Sequence, residues 1–114
     1  MSKALEVTAQ TFQAEVLDSP LPVLMDLYAT WCMPCVMMGK MLDGLAPKLE
    51  GKVKIVKVNV DEQPELAAAF NVSSIPMLVL FKDGKVAEHV VGAVPQRQVL
   101  AMVQKVISTS PAAR

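Results

Sequence analysis

Cys32 and Cys35 stand three residues apart in Trp31-Cys32-Met33-Pro34-Cys35, beside the chain's only tryptophan. The stretch lies where an apolar, strand-like run gives way to a helix-like one. Cysteines spaced i and i+3 at such a junction can both sit in or beside the first helical turn. There the positive end of the helix dipole and the unpaired backbone N–H groups favour a thiolate over a thiol. Pro34 suits that turn, because its missing N–H would have had no partner within the helix. The chemistry that fits is an acidic thiol beside a second thiol able to close a disulfide onto it. Two other uses of the pair are weaker. A metal site needs a second ligand pair, yet there is no third cysteine and the single histidine, His89, lies in a strand-like stretch. A structural disulfide would close a very small loop, stabilise little and suit a reducing compartment poorly.

Two charged residues interrupt apolar runs that should be buried. Asp26 falls within Val23-Leu24-Met25-Asp26-Leu27-Tyr28-Ala29, otherwise apolar on both faces. A carboxylate there is costly to ionise, so its pKa should be raised. It is either a buried aspartate satisfied by hydrogen bonds or a proton acceptor placed beneath the cysteines, for which a raised pKa is the requirement near neutral pH. Lys57, between Val56 and Val58, either snorkels to solvent or reaches Asp26 and tunes it. Ile75-Pro76 opens a later strand, where proline needs no special explanation, and residue types alone do not favour a cis bond.

The elements that must position these residues follow from pattern. Ala4 to Thr8 reads as a short edge strand, then Thr8 or Thr11 caps a brief helix with Phe12, Val16 and Leu17. Ser19-Pro20-Leu21-Pro22 ends it, and Val23 to Ala29 reads as a strand covered on both sides. After the cysteines, Met38, Met41, Leu42, Leu45 and Leu49 recur at helical spacing, with Gly39 and Pro47 as costs and Gly51 as the stop. Val53 to Val60 is a second interior strand, and Pro64 to Phe70 a short helix with Asn71 as a left-handed cap. Asp83-Gly84 joins two strands in a hairpin. Pro95 opens a last helix with Val99, Leu100, Val103 and Ile107 on one face. The order βα, βα, βα, hairpin, helix predicts an α/β fold with a mixed sheet between helices, its site at the carboxyl end of the central strand. Residues 1–108 are expected to form one domain and 109–114 a frayed tail.

Composition removes other classes of function. Of 114 residues, 53% are hydrophobic and 19% charged, which excludes a disordered chain. Eleven basic residues balance eleven acidic ones, so no global field draws in nucleic acid or an anionic membrane. The start of the chain lacks the pattern of a secretory signal, and no apolar run is long enough to cross a bilayer, so the expected location is the cytoplasm.

Together these residues resemble the thioredoxin family over almost the whole chain. The resemblance rests on Asp26, Trp31-Cys32-x-Pro34-Cys35, Lys57-x-Asn59-x-Asp61, Ile75-Pro76, Phe81-Lys82-Asp83-Gly84 and Val91-Gly92, in this order and spacing. It implies the thioredoxin fold, a central mixed sheet with helices on both faces, and a cis Ile75–Pro76 bond facing the cysteines. It implies a protein-disulfide reductase in which Cys32 attacks the substrate and Cys35, activated by Asp26, resolves the mixed disulfide. Lys57, part of the shared motif, joins them among the catalytic residues, and Trp31, Met33, Pro34, Ile75, Pro76, Gly92 and Ala93 form the substrate surface. It further implies disulfide-containing protein substrates, a flavin- and NADPH-dependent thioredoxin reductase as electron donor, no cofactor of its own, and a monomer. Met33 in place of the family's usual glycine, Tyr28 for tryptophan, Val36 for lysine or arginine, Lys40 for proline and Met77 for threonine are departures that bear on potential and partner choice. Two other functions compete: a disulfide oxidase or isomerase, and a redox-gated binding module without catalysis.

Overall fold

The structure, a computed structural model, describes residues 3–108; the expected tail at 109–114 lies outside the described residues. Among the described residues there are five strands: β1 (Leu5–Glu6), β2 (Val23–Tyr28), β3 (Lys54–Asn59), β4 (Met77–Lys82) and β5 (Lys85–Val91). They form one sheet in the order β1-β3-β2-β4-β5. β1, β3 and β2 run parallel, while β4 is antiparallel to β2 and to β5. Three α-helices pack on it: α1 (Met33–Leu49), α2 (Pro64–Ala69) and α3 (Gln96–Ser108). β2 is the central strand, and α1 leaves its carboxyl end with the cysteines at its start.

Side-chain alternation along β2 explains the two faces. Leu24 points to a core shared with Met38, Leu42, Leu45 and Leu49 of α1 and Val99, Val103 and Val106 of α3. Val23, Met25 and Leu27 point the other way, to a core with Val56, Val58, Val79, Phe81 and Leu66 of α2. Asp26 shares the Leu24 face by this alternation, so it lies under α1. Every residue of β2 from Val23 to Leu27 is buried, as a strand covered on both sides requires.

Several local expectations change. The brief helix after β1 is a π-helical segment, Gln13–Leu17, and Phe12 takes its cap position without a side-chain hydrogen bond. Thr8 and Thr11 are used on each other instead: Thr8 N–H donates to Thr11 Oγ1 at 2.9 Å and Thr11 N–H to Thr8 Oγ1 at 3.3 Å. Pro47 does not end α1, which continues to Leu49. The buried contacts of Leu45 and Leu49 hold the last turn despite one missing hydrogen bond. α3 buries Val106 with Val99 and Val103, while Leu100 and Ile107 are only partly covered. Ser108 belongs to α3.

Candidate active site

Cys32 is the N-cap residue of α1, and Pro34 follows within the first turn. Its Sγ accepts a hydrogen bond from the Cys35 backbone N–H at 3.2 Å. The Cα atoms of Cys32 and Cys35 are 5.2 Å apart and their sulfurs are joined in a disulfide. Both residues are buried, at 6% and 3% exposure, in a small cluster with Ala29, against which Tyr28, Val60 and Ile75 pack. The Cys35 N–H and the helix end thus face the Cys32 sulfur, an arrangement that in general favours a thiolate over a thiol.

Beneath the cysteines lies a cleft of about 390 Å³ lined by Glu6, Asp26, Tyr28, Ala29, Thr30, Cys35, Val36, Gly39 and Lys57. Asp26 is 3% exposed, and its Oδ1 is buried without a hydrogen-bond partner. Burial pushes its carboxyl up to about 7; the Lys57 charge opposes this and the Glu6 charge adds to it. Asp26 and Cys35 thus border one space large enough for water. Gly39, a cost to the helix, is buried where α1 crosses this cleft.

Asp26, Lys57 and Glu6 are register partners across β2, β3 and β1. Lys57 Nζ lies 3.8 Å from Glu6 Oε1 and 5.9 Å from the centre of the Tyr28 ring. Tyr28 Oη donates to Glu6 Oε1 and Oε2 at 2.9 and 3.0 Å. Burial, then that bond to the Glu6 carboxylate, raises Tyr28 to about 12, so it remains a donor. Residue types alone did not single out Glu6, because nothing local in a two-residue edge strand reveals which row of the sheet it joins.

The other residues named from the sequence are Trp31, Met33, Pro34, Ile75, Pro76, Gly92 and Ala93. Trp31 is 72% exposed, yet its ring is fixed by an Nε1–H bond to Asp61 Oδ2 of 2.8 Å. Asn59 shapes the loop that carries Asp61, its Oδ1 accepting from the backbone N–H groups of Asp61 and Glu62 at 2.9 and 3.2 Å. The Ile75–Pro76 bond is cis. Gly92, at φ +98°, donates its N–H to the Pro76 carbonyl at 2.7 Å, tying the two loops together. Met33, Pro34 and Ala93 are exposed, Ile75 is half-buried, and Pro76 is buried.

A helix-capping dithiol that closes a disulfide above a buried carboxyl, on a mixed sheet flanked by helices, defines a thiol–disulfide oxidoreductase. The sequence model described as Thioredoxin matches residues 3–105. Thioredoxin 1 of Nostoc sp. (strain PCC 7120 / SAG 25.82 / UTEX 2576) is 48% identical over 105 residues, covering 92% of this chain and 98% of its own. Thioredoxin 1 of Synechococcus elongatus is 49% identical over 84% of this chain and 90% of its own. Thioredoxin of Haemophilus influenzae is 44% identical over 92% and 98%. The chain belongs to the thioredoxin family. Among the described residues, no helix is long and apolar enough to cross a membrane.

Proposed function

We propose that this oxidoreductase runs as a protein-disulfide reductase, with Cys32 as nucleophile, Cys35 as resolving thiol and Asp26 as proton acceptor. Cys32 thiolate attacks one sulfur of a substrate disulfide, forms a mixed disulfide, and releases the first substrate thiolate. Cys35 gives its proton to ionised Asp26 and attacks Cys32 Sγ; the Cys32–Cys35 disulfide forms and the second substrate thiolate leaves. Two electrons pass from the dithiol to the substrate, and a flavin- and NADPH-dependent thioredoxin reductase restores them. The chain itself needs no cofactor. Lys57 tunes Asp26. Trp31, Met33, Pro34, Ile75, Pro76, Gly92 and Ala93 form the docking rim, with the Ile75 backbone pairing with an extended substrate segment. The protein acts as a cytoplasmic monomer.

The observation that carries this reading is the cleft shared by Cys35 and Asp26, with a carboxyl that changes charge near neutrality. Insulin reduction with dithiothreitol as donor tests it. Cys32→Ser is expected to be inactive, and Asp26→Ala to slow resolution of the mixed disulfide near neutral pH while leaving Cys32 attack largely intact. Normal turnover by Cys32→Ser would end the proposal, and resolution by Asp26→Ala at the parent rate across pH would remove Asp26 from it.

A further inference from the structure

We propose that Glu6 is a positioning residue for the resolution step: it holds Lys57 and Tyr28 at the mouth of the Asp26 cleft and divides the Lys57 charge between two carboxylates. The proposal rests on the reading of Asp26 as the proton acceptor for Cys35.

Three charged side chains occupy one row across three adjacent parallel strands, Glu6 on β1, Lys57 on β3 and Asp26 on β2. The cation stands in the middle. Its ammonium is 3.8 Å from Glu6, and Lys57 is only 14% exposed, so its charge is not lost to solvent. A lysine serving Asp26 alone would hold that carboxyl ionised and weak as a base. Glu6 takes part of that charge and adds a negative field of its own, and both effects favour the proton on Asp26. The Tyr28 hydroxyl proton, shared between the two Glu6 carboxylate oxygens, fixes the carboxylate in this position and leaves the Tyr28 ring under the Lys57 ammonium. The groups facing Asp26 are therefore Glu6 from β1, Tyr28 from β2, Lys57 from β3 and Cys35 from α1, whose other residues on the cleft, Val36 and Gly39, carry no charge. Glu6 is 39% exposed, so its influence is partly screened and should weaken with salt.

Glu6→Gln tests this, because an amide oxygen still accepts from Tyr28 while the charge is gone. The Asp26 carboxyl is titrated directly by carbon NMR in the oxidised protein, and mixed-disulfide resolution is followed against pH. In Glu6→Gln both midpoints should fall by roughly half a pH unit, making resolution near pH 6 about threefold faster than in the parent. Glu6→Asp should lie between the two, and the shift should shrink in about 1 M salt. An unmoved Asp26 midpoint, or a shift indifferent to salt, overturns the proposal. If the midpoint falls but resolution does not follow, Glu6 has no part in that step. Asp26→Asn separates the two failures: a resolution profile like the parent's rejects the Asp26 reading itself, whereas a flattened profile keeps that reading and rejects Glu6 alone.

Discussion

Asp26 is a carboxyl whose proton affinity belongs to the folding free energy as much as to its proposed part in resolution. Its ordinary value of 3.8 rises to about 7 in the folded chain, chiefly through burial. The folded state therefore holds this proton more tightly than the unfolded state does. The associated stability is fully present below pH 3.8, declines as pH rises, and is lost above about 7. Asp26→Ala removes that cost. After allowing for the small void left behind, the variant should be more stable than the parent by about 2–4 kcal/mol at alkaline pH. The difference should close as pH falls toward the ordinary aspartate value. Urea unfolding at both ends of that range checks it, and an advantage independent of pH would count against an ionisation origin. The variant that resolves mixed disulfides slowly is thus expected to be the more stable one, as strain kept at a site for its chemistry implies. Asp26 was legible in the sequence because a lone carboxylate inside an apolar strand is an anomaly on its own. Glu6 was not, since its meaning comes from β1–β3 register, and register is not written in either strand alone.

Elements were legible where the signal is local and chemical. Asp83 and Gly84 both have positive φ, +54° and +77°, as a two-residue hairpin turn demands, and Lys82 pairs with Lys85 across it. Asn71, at φ +52°, closes α2 as the sequence suggested. The segment after β1 was less legible, because threonines that cap helices also close turns, and here Thr8 and Thr11 do the latter. The hairpin also meets that segment. A Cβ on Gly84 would sit 3.1 Å from the Leu17 carbonyl oxygen, which is backbone and cannot swing aside. Gly84→Ala therefore adds a left-handed alanine to a tight contact and should cost about 1–3 kcal/mol. Asp83→Gly, which relieves positive φ without a new contact, should be neutral or stabilising. Thermal unfolding of the two variants distinguishes them, and equal destabilisation would show that hairpin geometry is not the cause.

At the scale of the molecule, the order of elements and the mixed sheet followed from pattern, but the strand order β1-β3-β2-β4-β5 did not. Local residues say that strands are parallel or antiparallel without saying which edge each crossover takes. The resulting sheet separates two cores, and the one away from α1 ends in three phenyl rings. Phe12, Phe70 and Phe81 meet edge-on in pairs with centroids 5.8, 5.9 and 5.7 Å apart, joining the chain before the π-helical segment, the end of α2 and β4. Phe81 pairs with Val23, the first residue of β2, while the cysteines follow Tyr28 at its other end. A strand's length and the opposite sheet face thus separate the rings from the dithiol. Phe81 is 2% exposed, so Phe81→Ala should cost about 3–5 kcal/mol, a large part of the stability of a domain this size. It should lower the urea midpoint while leaving the Cys32/Cys35 equilibrium with glutathione and the Asp26 titration unchanged in the folded protein. A shifted thiol–disulfide equilibrium in Phe81→Ala would show instead that packing at one end of β2 reaches the helix start at the other, and that the two cores do not act independently.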